Sequence, residues 1–319
     1  MTTPSREEII AAAARISGYI RRTPVLTLER GAIDVPGQVV LKLDFLQPTG
    51  TFKIRGAFNR LLSEKDPDRV VAASGGNFAR AVAHAARHLG VAADLFVPDS
   101  SPREKIDALA AYGATVHVIP GVYHHALTAS QEFVAERGGV FAHAYDQIEV
   151  VTGAGTCGME IALQVPEART VLVAVGGGGL IGGISSWFRG DVKVVGVETE
   201  GTASMAAAFA AGGPVAVEVS GIAVSSLGSS RIGDIAWEAA SQWVAGMLQV
   251  SDDHVIEAQR WLWETARLIS EPGAATTVAA LLSGAYQPAE GETVVALICG
   301  ANTDPASWGE KHFLPQRTE

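Results

Sequence analysis

Short apolar runs alternate with stretches whose apolar positions recur at helical spacing over most of the chain. "VVAAS" from Val70 predicts a strand and "NFARAVAHAARHLG" from Asn77 a helix stopped by Gly90. "ADLFVP" then reads as a strand, "PREKIDALAAYG" as a helix stopped by Gly113, and "TVHVIP" as a strand. "HHALTASQEFVAER" is a helix, and "GVFAHAYD" returns to extended chain. Further on, "TVLVAV", "VKVVGVE" and "TVVALI" are apolar enough to be strands buried on both faces, with "LIGGISSWF" following the first of them. Before this series come a capped amphipathic helix, "SREEIIAAAARI" with Ser5 opposite Glu8, and a strand in "VVLKLDFLQP". Lys53 to Leu62 then has helical spacing, with Ile54, Ala57, Phe58, Leu61 and Leu62 apolar.

Apolar strands alternating with helices predict an α/β fold with mostly parallel sheets flanked by helices. The tight series 69–146 predicts a small domain inserted into a larger one made of 1–68 and 147–319. In parallel sheets ligands gather at the carboxyl ends of strands.

Composition narrows the function. With 48% hydrophobic and 18% charged residues in 319 positions, a large core is available, and the 35 glycines point to many tight turns. A net charge of −10 argues against a nucleic-acid or anionic-membrane partner, so an anionic small molecule has to be met by local backbone donors. Two cysteines, Cys157 and Cys299, make a disulfide framework improbable, and "MTTPSREEII" is unlike a signal peptide. No apolar run is long enough to cross a bilayer. The expectation is a soluble cytoplasmic protein.

Four stretches carry candidate chemistry, and each borders a predicted strand. "VAVGGGGLIGGIS" places Gly176, Gly177, Gly178 and Gly179 between a buried strand and a helix near Leu180, where bare backbone N–H groups and the helix dipole can cradle a phosphate. Lys53, in "GTFKIRGA", opens a helix, where its charge opposes the dipole. That penalty vanishes if the amine is neutral or joined to a carbonyl cofactor, and Phe52 could cover one face of a flat ring. "ASGGNFARA" makes a polar turn of Ser74, Gly75, Gly76 and Asn77 that suits a carboxylate, with helix capping by Ser74 or Asn77 as the plainer reading. "LICGAN" ends the last strand at Cys299, beside Gly300 and Asn302. Glu198, ending the strand after the glycine run, could mimic a ribose-binding acid, which keeps a nucleotide-binding reading open.

In this order, "QPTGTFKIRGA", "SGGN", "GGGGL" and "CGAN", with "SGIAVSSLG" and "EPGAA", resemble the pyridoxal-phosphate enzymes of fold type II. The likeness is specifically to the serine/threonine dehydratase and serine racemase branch, and it runs from about Arg22 to Asn302. It implies a two-domain, tryptophan synthase beta-like architecture with pyridoxal 5′-phosphate in the cleft between the domains. Lys53 would hold the cofactor through a Schiff base, Phe52 would pack on its ring and Asn77 would bond its 3-hydroxyl. Gly176 to Gly179 with Leu180 would hold the phosphate, and Cys299 would face the ring nitrogen. Gly228, Glu271 and Asn302 would complete the cofactor site. Ser74, Gly75, Asn77 and Ser226 would receive the substrate, with Ser74 beside Lys53 in catalysis.

A thiol at the ring nitrogen cannot fully protonate the pyridine, so elimination of a β-hydroxyl suits this site better than a long-lived carbanion. The implied activity is a threonine or serine ammonia-lyase giving a 2-oxo acid and ammonia, working as a homodimer. Alternatives on this scaffold are a 3-hydroxyaspartate ammonia-lyase and a serine racemase. From another class comes a non-catalytic nucleotide- or amino-acid-binding protein. Phe78 stands where this branch usually has histidine, and Gly75 stands where racemases carry a serine that protonates the opposite face. Ser220 replaces the acid of metal-dependent relatives, so no metal site is expected; Glu198, Glu200 and Asp234 read as solvated acids, and His124 and His125 as helix surface. Only a short tail follows "CGAN", so no appended regulatory domain is expected.

Overall fold

The computed structural model describes residues 2–101, 103–304 and 308. Ten strands run β1 Val25–Thr27, β2 Gln38–Lys42, β3 Arg69–Ala73, β4 Ala92–Pro98, β5 Thr115–Ile119, β6 Val140–Phe141, β7 Thr170–Ala174, β8 Lys193–Thr199, β9 Val244–Val250 and β10 Thr293–Leu297. Twelve α-helices among the described residues run α1 Arg6–Ile16, α2 Lys53–Leu62, α3 Asn77–Leu89, α4 Arg103–Ala110, α5 Tyr123–Arg137, α6 Ile148–Gln164, α7 Gly179–Phe188, α8 Ser204–Ala211, α9 Val224–Leu227, α10 Asp234–Trp243, α11 Asp252–Ala266 and α12 Pro272–Leu282.

The strands form two sheets. One has the order β1-β2-β10-β7-β8-β9, parallel throughout except for β1 at the edge; the other is wholly parallel, β5-β4-β3-β6. Every residue of β7 and β10 is buried, as near-continuous apolar runs covered on both faces should be. Separate apolar cores pack the sheets: Leu172, Ile181 and Val295 belong to the first, Leu95, Val82 and Phe58 to the second. The α/β architecture with two sheet-centred domains is as the alternating pattern predicts.

Three features differ from the sequence reading. β9 is a strand that is mostly half-buried rather than a buried run, because it lies at the sheet edge beyond β8. "GVFAHAYD" gives only the two-residue β6, after which the chain leaves the sheet and turns at Ala144 and Tyr145. Glu198 is not solvated but fully buried; its carboxylate accepts N–H bonds from Met205 at 2.7 Å and Ala206 at 3.0 Å at the start of α8. Burial pushes its pKa up to about 7. The carboxylate is committed to its own chain, which removes the basis for ribose binding. Glu200 is exposed and Asp234 half-buried.

Both histidines at the start of α5 are exposed, and His125 Nδ1 accepts the Val122 N–H at 3.2 Å. Among the described residues no group of three or more His, Cys, Asp or Glu could hold a metal ion, and no helix is long and apolar enough to cross a membrane.

Candidate active site

Parallel pairing brings the carboxyl ends of β2, β7 and β10 side by side. The chain after β2 stays beside the chain after β10: Thr51 bridges Gly300, and the Phe52 N–H donates to the Cys299 carbonyl at 3.0 Å. α2 starts immediately afterwards with Lys53 as its first residue and no side-chain cap. The lysine therefore opens the helix facing Cys299.

Lys53 is partly buried, and its Nζ donates to the Ala144 carbonyl at 2.8 Å. The Phe52 ring lies 5.0 Å from that nitrogen and the Phe78 ring 5.9 Å. Burial pulls the Lys53 pKa down to about 8, against an opposing influence from Cys299 and Glu271. A lysine at this value has a sizeable neutral fraction near neutrality, as a nucleophile or base requires.

The glycine run leaves β7 and enters α7, whose N-cap is Gly178 in the left-handed region at φ +87° with no side-chain cap. A Cβ on Gly178 would come within 2.6 Å of the Ala236 Cβ, so both conformation and space require glycine. A Cβ on Gly177 would run into the Tyr145 ring, which lies directly over this turn. The helix end thus offers backbone donors in a tight, side-chain-free bend, an anion cradle by construction.

One narrow slot is lined by Phe52, Lys53, Asn77, the run Gly176 to Gly179 with Leu180, and Ser226, Glu271 and Cys299. Cys299 is buried, and burial, reinforced by Glu271 and Asp44, pushes its thiol well above the ordinary value, so it stays protonated. Cys157 lies elsewhere, in the core of the larger sheet.

Asn77 is the first residue of α3, and neither it nor Ser74 caps that helix; the N-cap is Gly76. Its amide donates to both oxygens of Glu271, at 2.8 and 2.9 Å, and its carbonyl oxygen accepts from Asn302 at 2.7 Å. Asn302 also donates to the Thr49 carbonyl at 3.0 Å and accepts from Arg80 at 2.8 Å. Asn302 is therefore placed behind Asn77 and supports it, rather than lining the slot.

A wider cavity of about 450 Å³ adjoins the slot at Lys53 and is lined by Ser74, Gly75, Asn77, Ser226 and Gly228 among others. The Ser74 hydroxyl accepts the Gly76 N–H at 3.3 Å. The Ser226 hydroxyl accepts the Gly273 N–H at 3.1 Å and donates to the Ala223 carbonyl at 3.3 Å. A Cβ on Gly228 would clash with the Val224 carbonyl. Every residue expected at the site thus lies in the slot, in the cavity or, for Asn302, one contact behind. The sequence reading missed the Ala144 carbonyl, Tyr145, Tyr123 and Arg80. Ala144 acts through its backbone and has no sequence signature, while the two tyrosines sit in stretches with no distinctive spacing.

A flat carbonyl cofactor with a phosphate tail fits these residues, with an amine of lowered pKa beside an aromatic ring at one end and a side-chain-free bend at the other. Comparison with known proteins agrees. The family model described as pyridoxal-phosphate dependent enzyme matches residues 16–300. The L-threonine ammonia-lyase of Thermotoga maritima is 34% identical over 304 residues, 93% of this chain and 75% of its own. The phenylserine dehydratase of Ralstonia pickettii is 34% identical over 314 residues, 96% of each chain. Among solved structures, maize serine racemase superposes with a TM-score of 0.91 at 27% identity, covering 98% of both chains.

Proposed function

Because the chain belongs to the pyridoxal-phosphate dependent enzymes, we propose that it is an ammonia-lyase acting on an L-β-hydroxy-α-amino acid of the threonine or serine type. The observation that carries this reading is the Lys53 amine: partly buried, lowered to about 8, and lining one slot with the glycine bend, Asn77 and Cys299.

Bound pyridoxal 5′-phosphate supplies an electron-withdrawing ring that acidifies the substrate's Cα–H. Lys53 would be the attachment point for its aldehyde, the bend from Gly176 to Gly179 with Leu180 would hold its phosphate, and Phe52 would cover the ring. Asn77, held by Glu271 and Asn302, presents its amide edge, and Gly228 lets the backbone come close. Cys299 stays a neutral thiol, which leaves the ring a moderate electron sink and favours departure of a β-substituent.

The turn Ser74 to Asn77 receives the substrate carboxylate on the N–H groups of Gly75 and Asn77 and the Ser74 hydroxyl, beside Ser226. Lys53, when its amine is free, takes the Cα proton, and the Ala144 carbonyl orients the amine for it. The β-hydroxyl leaves with a proton as water. The released enamine becomes an imine, which water hydrolyses to the 2-oxo acid and ammonium. Overall one hydroxy amino acid yields one 2-oxo acid and one ammonium, with no oxidant consumed.

The reading includes a mobile small domain, 69–146, that carries Ser74 and Asn77, and a homodimer in the cytoplasm. The two buried free thiols support a reducing compartment. Borohydride reduction followed by peptide mass analysis should find the pyridoxyl group on Lys53, and threonine or serine should yield the corresponding 2-oxo acid. A non-catalytic binding protein would give neither result.

The relatives leave the size of the β-substituent open, since one is named for threonine and the other for phenylserine.

A further inference from the structure

The cavity beyond Lys53 has two kinds of wall. Around Ser74 to Asn77 it is polar backbone and hydroxyl, suited to the part common to all amino acids. Away from that turn it is lined by Tyr123, Tyr145, Val219, Val224 and the buried Phe78, with Ser225, Ser229 and Ser230 among them. Lys53 is the one cation among the described residues lining it. A second carboxylate on the substrate would therefore find neutral groups and no second cation to pair with.

The mouth also exposes apolar side chains beside the exposed Ser225 and Ser230. Tyr123 and Val224 are each 38% exposed, and their neighbours Val122 and Ile222 are exposed as well, at the start of α5 and just before α9. Exposed apolar side chains at the mouth of a cavity mark a surface that can receive an apolar ligand. A methyl group next to Cβ offers little surface to these side chains, whereas an aromatic ring offers about 150–250 Å² to bury.

Resting on the proposed reaction, we propose that the substrate is an L-β-hydroxy-α-amino acid with an uncharged aromatic β-substituent, and that Tyr123 and Val224 determine this specificity by contacting the ring at the mouth of the cavity. The ring lies among Tyr123, Tyr145 and Val224 while the carboxylate rests at Ser74 to Asn77, which leaves Cα and Cβ beside Lys53.

Two measurements on the holoenzyme test this. In the first, 2-oxo acid formation is compared for L-phenylserine, L-threonine, L-serine and 3-hydroxyaspartate. The expected kcat/KM for phenylserine exceeds that for threonine by about tenfold or more, the increment a hydrophobic pocket draws from a few additional carbons. The second uses the deoxy analogues L-phenylalanine and L-2-aminobutyrate, which have no hydroxyl to lose, with binding followed by calorimetry. Phenylalanine should bind more tightly, and Tyr123→Ala and Val224→Asp should each weaken it by a larger factor than they weaken 2-aminobutyrate. Threonine equal to or better than phenylserine, or a preference unmoved by both substitutions, overturns the aromatic assignment while leaving the ammonia-lyase reading intact. Absence of 2-oxo acid from all four substrates overturns both.

Discussion

Asn77, the first residue of α3, gives its side-chain amide to both carboxylate oxygens of Glu271, the residue immediately before α12. The bond spans the cleft: α3 packs on the four-stranded sheet and α12 on the six-stranded one. A hydrogen bond to a charged group contributes about 1.5–3 kcal/mol. Asn77→Ala and Glu271→Ala should therefore each destabilise the protein, and the double variant should cost about 1–3 kcal/mol less than the sum of the two. Urea unfolding of the four proteins measures the coupling, and strict additivity would dismiss it.

Lys53 makes the cofactor-free protein less stable at neutral pH than it could be. Its folded pKa, about 8, lies below the ordinary 10.5, so the neutral amine is the form that folding prefers. The associated stability is fully present above about 10.5 and is lost as pH falls to about 8, below which the penalty is constant. Lys53→Met should therefore raise the unfolding midpoint of cofactor-free protein at pH 7, and this advantage should shrink as pH rises from about 8 towards 10.5. Denaturant titrations across that window give the result. The same variant should lower kcat by at least about a hundredfold in the oxo-acid assay, the scale of a lost general base.

Behind the lysine, Arg55 is wholly buried and grips Asp44 through two bonds, at 2.9 and 2.6 Å, while reaching Glu160 at 2.8 Å. Removing one member of a buried pair leaves an uncompensated charge, and Arg55→Met should cost about 3–5 kcal/mol. Arg55 holds the Asp44 carboxyl down at about 2, against the resistance of burial. This stability is present above the ordinary carboxylate value and is lost as pH falls towards about 2. Asp44→Asn should flatten the acid limb of a stability–pH curve measured by fluorescence.

Gly75 lines the cavity where a racemase would need a second proton donor. A Cβ there would lie 3.0 Å from the Ser101 hydroxyl, so even the space is partly taken. Incubation with L-serine should give pyruvate without accumulation of the D enantiomer, read by chiral chromatography. Fast racemisation would show that another group protonates the opposite face.

What was legible in the sequence was local. Gly176 to Gly179 announce themselves because only glycine tolerates that bend, and Lys53 because a cation at a helix start goes against the dipole. Strands such as β7 and β10 are readable since burial on both faces leaves no polar position. Glu198 was misread because an acid at a strand end usually meets water, and nothing local tells that it would cap α8 instead. The Ala144 carbonyl and the Tyr145 ring were invisible for a different reason. They reach the site by a turn after β6, and tertiary approach of that kind depends on where the whole small sheet sits.

That turn has a consequence of its own. Adjacent residues of one peptide touch opposite ends of the slot: the Ala144 oxygen holds the Lys53 amine, and the Tyr145 ring lies on Gly177. A shift of Tyr145 away from the bend would therefore be passed to the adjacent carbonyl that accepts from Lys53. Faster reductive methylation of Lys53 in cofactor-free Tyr145→Gly protein is the expected result, and an unchanged rate would show the two contacts to be independent.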